Sequence, residues 1–351
     1  MRFLVTGGAG FIGSHLCEAL LEGGHTVLVI DDLSTGRYEN VSHLEGVSNF
    51  ELIIDTVLNT PLVETMVKSV DVIFHLASAV GVRLIIEQPV KTIETIVGGT
   101  SIVLSQARRY RKPVILTSTS EAYGKGTKVP FSEEDDILLG PTSRRRWAYA
   151  AAKMIDEFLA FAHWHETKLP VVCVRLFNTV GPRQTGQYGM VIPRFIEQAL
   201  KNQDITVFGD GQQTRSFCHV RDAVDALIAL ANSREAFGRV VNIGNDQETS
   251  INDLARRIKE LSGSASKIVH IPYEEAYADG FEDMMRRVPD LTLANQLIGF
   301  RPRYSLDDII EEVIRLCATD HPHNFPGKTP EAKPRKQPPQ RRIQASNRFN
   351  F

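Results

Sequence analysis

Residues Arg2-Phe-Leu-Val-Thr-Gly-Gly-Ala-Gly-Phe-Ile-Gly13 decide the fold of this chain. The first five, Arg2 to Thr6, are mainly apolar and predict a short buried strand. Glycines then recur at Gly7, Gly10 and Gly13, where a chain can turn tightly and a helix can approach a strand closely. The segment therefore predicts a strand that passes through a narrow turn into a helix.

The next residues complete a β-α-β unit. Ser14 to Glu22 has apolar residues at helical spacing, and His25 to Ile30 is a second apolar strand that ends in Asp31-Asp32. Such a unit with glycines in its first turn is typical of dinucleotide binding, because the helix start offers N–H groups to phosphates. Asp31 can bind ribose hydroxyls and would repel a 2′-phosphate, so we expect NAD. The nearby Arg37 leaves NADP open.

The composition is that of an ordinary globular protein. The chain has 351 residues, of which 42% are hydrophobic and 23% charged, with a net charge of −2. This charge gives no reason to expect nucleic acid or a membrane as a partner. No apolar run is long enough to span a bilayer, and the four cysteines show no metal-binding spacing. We expect a cytoplasmic protein without a metal site.

Two later strands aim polar residues at the same crevice. The first predicted strand, Val70 to Ala77, ends in the run His75-Leu-Ala-Ser78. The second, Pro113 to Thr119, leads into Ser120-Glu-Ala-Tyr-Gly124. Ligands of doubly wound sheets bind at the carboxyl ends of the strands. Ser118 to Glu121 should therefore face the cofactor.

The pentapeptide Tyr149-Ala-Ala-Ala-Lys153 lies on a predicted helix from Ala148 to Trp164. Residues four apart share one helix face, so the phenol and the ammonium can meet. A nearby positive charge favours the phenolate, and lowering its pKa from ~10 to about 7 takes roughly 4 kcal/mol. Lys153 with an oxidised nicotinamide ring could supply this, giving a base for a sugar hydroxyl. The same spacing also occurs in surface helix pairs.

Taken together, the motifs resemble the extended short-chain dehydrogenase/reductase enzymes that act on nucleotide-diphosphate sugars. These motifs are GGAGFIG, Asp31-Asp32, TSTSEAYG, YAAAK, RLFNTVGPR and VFGDGQQTRSFCHVRD, and the resemblance runs from residue 1 to about 317. It implies an α/β fold, a Rossmann doubly wound parallel sheet with a smaller C-terminal α/β substrate-binding domain. It also implies NAD as cofactor, a UDP-sugar substrate and a homodimer joined by helices around 92–110 and 148–165.

The expected domains are based on that resemblance. Residues 1–178 form the NAD-binding domain, to which 218–245 return, and residues 179–317 form the nucleotide-sugar-binding domain. Residues 321–351 are rich in proline and basic residues and predict a disordered tail.

The resemblance also implies roles for individual residues. Tyr149 takes the proton of the C4 hydroxyl, Lys153 holds the nicotinamide ribose, and Thr119 and Ser120 bind the sugar near C4. Cofactor contacts are implied for Gly7, Gly10, Phe11, Ile12, Gly13, Asp31, Asp32, Asp55, Ala77 and Lys153. Substrate contacts are implied for Arg146, Asn178, Arg183, Val191, Phe208, Arg215 and Arg287. One departure is Ile96, where the family usually has asparagine.

The reaction type depends on the substituent at C5 once C4 has been oxidised. A carboxylate on C5 leaves as CO2, a CH2OH group permits loss of water, and otherwise return of the hydride can invert C4. Glu121 resembles the acid/base of decarboxylases and 4,6-dehydratases, and Met285-Arg-Arg-Val-Pro-Asp290 resembles a decarboxylase segment whose functional arginine falls on Arg287. Arg146 matches an arginine of UDP-xylose synthases.

We therefore expect a UDP-glucuronate decarboxylase that forms UDP-xylose. The alternatives are a UDP-sugar 4-epimerase, acting on UDP-glucose or UDP-glucuronate, and then a 4,6-dehydratase. A non-catalytic NAD-binding protein is disfavoured because Tyr149 and Lys153 are both present.

Overall fold

Parallel strands form the centre of the molecule. The computed structural model describes residues 1–78, 88–145, 147–185, 190–272 and 284–320. The strands in these ranges are β1 (Arg2–Thr6), β2 (Thr26–Asp31), β3 (Phe50–Ile54), β4 (Val72–His75), β5 (Val114–Thr119), β6 (Val171–Leu176), β7 (Thr179–Val180), β8 (Ile205–Phe208), β9 (Thr214–Ser216), β10 (Cys218–His219), β11 (Arg239–Ile243), β12 (Glu248–Ser250) and β13 (Ile268–Ile271).

The helices connect these strands and cover the sheet. They are α1 (Phe11–Glu22), α2 (Thr60–Ser69), α3 (Pro89–Ile93), α4 (Gly99–Tyr110), α5 (Trp147–Thr167), α6 (Val191–Leu200), α7 (Val220–Ala231), α8 (Ile251–Ser262), α9 (Thr292–Ile298) and α10 (Leu306–Asp320). A π-helical turn, Glu94–Gly98, joins α3 to α4. Short 3-10 turns occur at Tyr38–Asn40, Ser42–Leu44, Ser120–Tyr123 and Arg234–Ala236.

The central sheet has the predicted doubly wound order. Its seven strands in the described ranges lie in the order β3-β2-β1-β4-β5-β6-β11, and neighbouring strands are parallel. Successive strand residues face opposite sides, so Phe3 and Val5 belong to the core beside α1 and α7 while Leu4 belongs to the core beside α2, α4 and α5. Both faces are therefore buried, which confirms the Rossmann prediction.

Some element boundaries differ from the prediction. Helix α1 begins at Phe11 and not at Ser14, because Gly10 is the extended N-cap and the last residues of the glycine turn are already helical. Strand β4 covers only Val72–His75 of the apolar run at 70–77. Helix α5 is slightly longer at both ends than predicted.

The second half of the chain builds a third core. Helices α6, α8 and α10 pack around β8 through residues such as Phe195, Leu254 and Ile309. Strand β11 pairs with β6, and α7 packs on α1, so residues 220–243 return to the central sheet. The domain boundaries at 178 and 245 stay predictions, and the predicted tail lies outside the described residues. None of the described helices has the length and apolarity needed to cross a membrane.

A buried ion pair ties α5 to the sheet. Glu157 on α5 forms a two-point contact with Arg175 on β6, with Oε2–Nη2 at 2.7 Å and Oε1–Nε at 3.0 Å. The Ser118 hydroxyl at the end of β5 donates to Glu157 Oε1 at 2.5 Å. The Arg175 guanidinium also lies 4.6 Å from the centre of the Tyr123 ring. We call Ser118, Glu157 and Arg175 the buried clamp, and it sets where α5 meets the ends of β5 and β6.

We expect Glu157→Ala to lower the free energy of unfolding by about 3 kcal/mol, because it leaves the Arg175 guanidinium buried without a counter-ion. Urea unfolding followed by circular dichroism measures the effect. The matched control, Glu197→Ala, removes an exposed carboxylate that pairs with Lys201 on α6, and it should leave the midpoint nearly unchanged. Equal midpoint shifts in the two variants would contradict a structural role for the clamp.

Candidate active site

One cleft of about 620 Å³ lies along the carboxyl ends of the central strands. It extends from the glycine turn after β1 to the segments around β8 and β9. The predicted site residues that line it are Gly7, Gly10, Phe11, Ile12, Gly13, Asp31, Asp32, Asp55, Ala77, Thr119, Ser120, Glu121, Tyr149, Lys153, Asn178, Arg183, Val191, Phe208, Arg215 and Arg287. Arg146 lies outside the described residues, so its contact with substrate stays a prediction.

The glycine turn is packed too closely for side chains. A Cβ at Gly13 would lie 2.1 Å from the carbonyl oxygen of Gly7. Gly7 itself has φ +73°, and a Cβ there would lie 2.8 Å from the Ala77 nitrogen. Gly10 caps helix α1 without a side-chain cap. The helix start is therefore open toward the cleft, as a cradle for phosphate groups requires.

Asp31 supports the backbone around this turn. Its Oδ2 accepts from the Ala9 N–H at 2.9 Å and its Oδ1 accepts from the Leu33 N–H at 2.9 Å. The Asp31 side chain is buried, and burial raises its pKa in spite of these hydrogen bonds. Asp32 is exposed and accepts from Ser34 at 2.9 Å. The sequence had indicated a ribose contact for Asp31 and had not indicated this backbone role.

The Tyr149 phenol and the Lys153 ammonium face each other across one turn of α5. Tyr149 is half-buried, and the hydroxyls of Ser78 and Thr119 lie close to it. Burial raises the pKa of Tyr149, and the Lys153 charge lowers it without cancelling the effect. Lys153 by itself therefore does not bring the phenol into the neutral range. The expected pKa near 7 needs a further positive charge in the cleft.

Lys153 has a partner that sequence analysis missed. Its Nζ lies 2.8 Å from Oδ2 of Asp156, and their side chains are 2% and 0% exposed. Burial lowers the pKa of Lys153, but Asp156 and Tyr149 outweigh it and the net pKa is raised. The ammonium thus stays charged. The i,i+3 spacing was visible in the sequence, but it is also typical of exposed helix pairs.

A second ion pair lies across the cleft. Arg287 Nη1 and Glu121 Oε1 are 2.7 Å apart, and their side chains are 9% and 21% exposed. Glu121 belongs to the 3-10 turn after β5, where the Thr119 hydroxyl accepts from its N–H at 3.2 Å. Arg287 belongs to the segment before α9. The pair therefore joins the sheet to the second half of the chain, beside Tyr149 in the same cleft.

The other predicted substrate residues are held by backbone contacts. Asn178 Nδ2 donates to the Ser216 carbonyl at 2.9 Å. The buried Arg215 donates from Nη1 to the carbonyls of Thr214 at 2.7 Å and Met284 at 2.8 Å. Both side chains also line the cleft.

The Arg183 side chain contacts helix α1. Its guanidinium donates from Nη1 to the Ser14 hydroxyl at 3.1 Å and contacts Glu18 through Nη2. Both partners lie on the helix that comes after the glycine turn. Arg183 therefore lines the cleft beside the helix that follows the glycine turn, and its predicted substrate contact stays a prediction.

The far end of the cleft has an aromatic platform. The Arg194 guanidinium lies 3.9 Å from the centre of the Phe208 ring, and Val191 begins the helix that carries Arg194. Stacking of this kind offers a flat surface to a planar ring. Arg194 was not among the predicted substrate residues, although Val191 and Phe208 were.

Ile96 occupies the π-helical turn between α3 and α4 and is 1% exposed. Its apolar side chain offers no hydrogen bond at the position where the resembled family usually has asparagine. Among the described residues, no group of three or more metal-ligating side chains could hold a metal ion.

The chain is similar to several known proteins. It matches the family described as GDP-mannose 4,6 dehydratase over residues 4–313. It is 44% identical over 315 residues to a UDP-N-acetyl-alpha-D-glucosaminuronate decarboxylase from Bacillus cytotoxicus, which covers 90% of this chain and 97% of that one. It is 38% identical over 334 residues to UDP-glucuronic acid decarboxylase 1 of Xenopus tropicalis, covering 95% and 76% of the two chains.

A solved structure agrees with these matches. The UDP-glucuronic acid 4-epimerase from Bacillus cereus, in complex with UDP-glucuronic acid and NAD, is 30% identical, with a TM-score of 0.79 and coverage of 90% of this chain and 98% of that one. The resemblance to extended short-chain dehydrogenase/reductase enzymes is thereby confirmed. Because the family match spans most of its length, this chain belongs to the GDP-mannose 4,6 dehydratase family.

Proposed function

We propose that this chain is an NAD-dependent decarboxylase of UDP-hexuronates, which converts UDP-glucuronate to UDP-xylose and CO2. The observation that carries the proposal is the ion pair between Glu121 and Arg287, 2.7 Å apart and in the same cleft as Tyr149. An arginine near the reacting carbon supplies the positive charge that stabilises the substrate carboxylate and the enolate formed when CO2 leaves. Two relatives named as decarboxylases support this choice.

The cofactor fits the glycine turn. Phosphates can approach the start of α1 because no side chain could be accommodated at Gly13. Asp31 and Asp32 favour NAD over NADP at the adenosine ribose, and Lys153 would hold the nicotinamide ribose. When bound, NAD accepts the hydride from C4 of the sugar and later returns it.

The residues of the chain account for the remaining steps. The Tyr149 phenolate takes the proton of the C4 hydroxyl as the hydride leaves, so a ketone forms at C4. The C5–carboxylate bond then breaks, its electrons form the C4–C5 enolate, and CO2 departs. C5 takes up a proton that comes from solvent and that Glu121 would relay, and Tyr149 returns its proton as C4 is reduced. The net reaction consumes one proton and releases one CO2.

The second half of the chain would hold the nucleotide. We assign the diphosphate to Asn178 and Arg215, with Arg183 nearer the cofactor, and the base to the segment that contains Val191 and Phe208. Residues 1–178 with 218–245 would bind NAD, and residues 179–317 would bind the UDP-sugar.

Two candidate substrates differ in the substituent on C2 of the hexuronate. The relative with 44% identity is named for UDP-N-acetylglucosaminuronate, and the relative with 38% identity is named for UDP-glucuronate. The 4-epimerase alternative has support from the Bacillus cereus structure, whose substrate also carries a C5 carboxylate.

We also propose a homodimer that forms through α4 and α5. Ile155 and Phe158, about one turn apart on α5, are 41% and 67% exposed, and a second copy would cover them. The four free cysteines support a reducing compartment, which we take to be the cytoplasm. Cell fractionation would test that location.

Incubation of the purified protein with each UDP-hexuronate should release CO2 and yield the corresponding UDP-pentose. Chromatography and trapped CO2 measure both products. The preferred substrate shows which C2 substituent the site accepts. Conversion of UDP-glucuronate to its C4 epimer without CO2 would replace the decarboxylase by the epimerase, and water loss from a UDP-hexose would indicate a dehydratase.

We expect Arg287→Met to reduce CO2 release by about 100-fold or more, because the carboxylate and the enolate lose their cation. Enzyme-bound reduced nicotinamide should still form, since C4 oxidation does not need Arg287. The matched control, Arg286→Met, removes the neighbouring exposed arginine that pairs with Glu248 and should keep near-normal release. Equal losses in the two variants would count against the assigned role.

We expect Phe158→Asp to shift the protein from dimer to monomer in sedimentation velocity, because it places a charge in the proposed interface. Ile54→Asp on the edge strand β3, where Ile54 is 59% exposed, is the matched control and should remain dimeric. A monomeric unmodified protein would rule out the homodimer.

A further inference from the structure

Asp156 does not line the cleft but contacts a residue that does. Its side chain is 0% exposed, and it contacts Lys153 but is not part of the cleft lining. A carboxylate in this position is costly to bury unless a cation pairs with it. The Lys153 ammonium is that cation, and Lys153 itself does line the cleft. Asp156 is therefore placed to affect the reaction through Lys153 and not by contact with a ligand in the cleft.

We propose that Asp156 is a positioning residue, which holds the Lys153 ammonium in place and sets the pH at which Tyr149 releases its proton. The inference rests on the proposed function, because it concerns the base that begins the sugar oxidation. Geometry carries it: the Nζ–Oδ2 distance is 2.8 Å, both side chains are buried, and Tyr149 lies one helical turn from Lys153.

The charges of this pair largely cancel. The Asp156 carboxylate therefore offsets the positive charge of Lys153 that acts on the Tyr149 phenol. Burial raises the pKa of Tyr149, the Lys153 charge lowers it, and the Glu121 charge raises it. The carboxylate also favours the protonated form of Lys153. By the same electrostatics, an anion at position 156 opposes ionisation of the Tyr149 phenol.

Other groups around the pair do not replace Asp156. From β4, His75 faces Lys153, and burial lowers its pKa to about 3, so it is neutral. Its ring nitrogens contact Thr6 at 2.8 Å and Thr100 at 3.1 Å, and the Thr100 hydroxyl lies near Asp156. These threonines are uncharged.

The remaining charged neighbours have their own partners. Glu157, next to Asp156 on α5, pairs with Arg175 from β6, and Glu121 from the turn after β5 pairs with Arg287. Cys173 on β6 also faces this region, and burial keeps its pKa well above the ordinary value, so its thiol is neutral. Asp156 is therefore the counter-ion of Lys153 among the described residues.

The test uses the NAD-loaded protein and two readouts. The first is the pH at which Tyr149 ionises, measured as tyrosinate absorbance in each protein minus that of the same protein with Tyr149→Phe. The second is the acid limb of the pH profile for formation of enzyme-bound reduced nicotinamide on mixing with a UDP-hexuronate. The first readout needs no substrate, so it decides the proposal even if the proposed reaction is wrong.

We expect Asp156→Asn to move both readouts to lower pH by about one unit, because removal of the anion exposes Tyr149 to the full charge of Lys153. Asp156→Glu keeps the anion and should restore the original pH dependence. Asp156→Ser is a second neutral variant, with room for a water molecule, in case Asp156→Asn does not fold, and it should show the same shift.

The control is Asp253→Asn on α8. Asp253 also pairs with an i+3 residue, Arg256, but it is exposed, so neither readout should move. A tyrosinate titration that stays in place in Asp156→Asn or Asp156→Ser, with rates reduced equally at every pH, would overturn the proposal and leave Asp156 a purely structural residue.

Discussion

The buried clamp of Ser118, Glu157 and Arg175 is the interaction on which the active site depends. It joins helix α5 to β5 and β6 through contacts of 2.5 to 3.0 Å. Burial of two charges is costly, so such a pair adds little net stability over apolar residues of the same size. Its contribution is position, since the two-point contact defines the rotation and height of α5. Tyr149 and Lys153 lie on that helix and are thereby aimed at the strand ends.

The same helix buries a second carboxylate for a different purpose. Asp156 and Glu157 are adjacent in sequence, yet one pairs with Lys153 and the other with Arg175. A helix can bury this many charges because each has a partner of opposite sign. One ion pair orients the helix and the other adjusts the electrostatics of the site. Because both residues lie on α5 close to Tyr149, a substitution at either one will change the position or the electrostatic environment of Tyr149.

The ion pair between Glu121 and Arg287 connects the two halves of the chain. One partner comes after a strand of the central sheet and the other precedes α9, so the pair holds these two parts of the chain together at the cleft. The pair is also poised for exchange, because a substrate carboxylate that binds Arg287 would compete with Glu121 for the guanidinium. In the proposed reaction that competition would free Glu121 to act near C5.

The sequence by itself determined the glycine turn, the Rossmann order of the first strands and the Tyr149–Lys153 pair, along with the residues that line one cleft. These features arise from backbone sterics and from spacings of a few residues, which are local and therefore visible in the chain. Only the tertiary structure revealed that Asp31 accepts hydrogen bonds from the backbone, that Arg183 contacts α1 and that Asp156 forms a buried ion pair with Lys153. It also revealed that Arg287 meets Glu121. Whether a charged side chain faces solvent or a buried partner depends on how distant elements pack, and no short spacing contains that information.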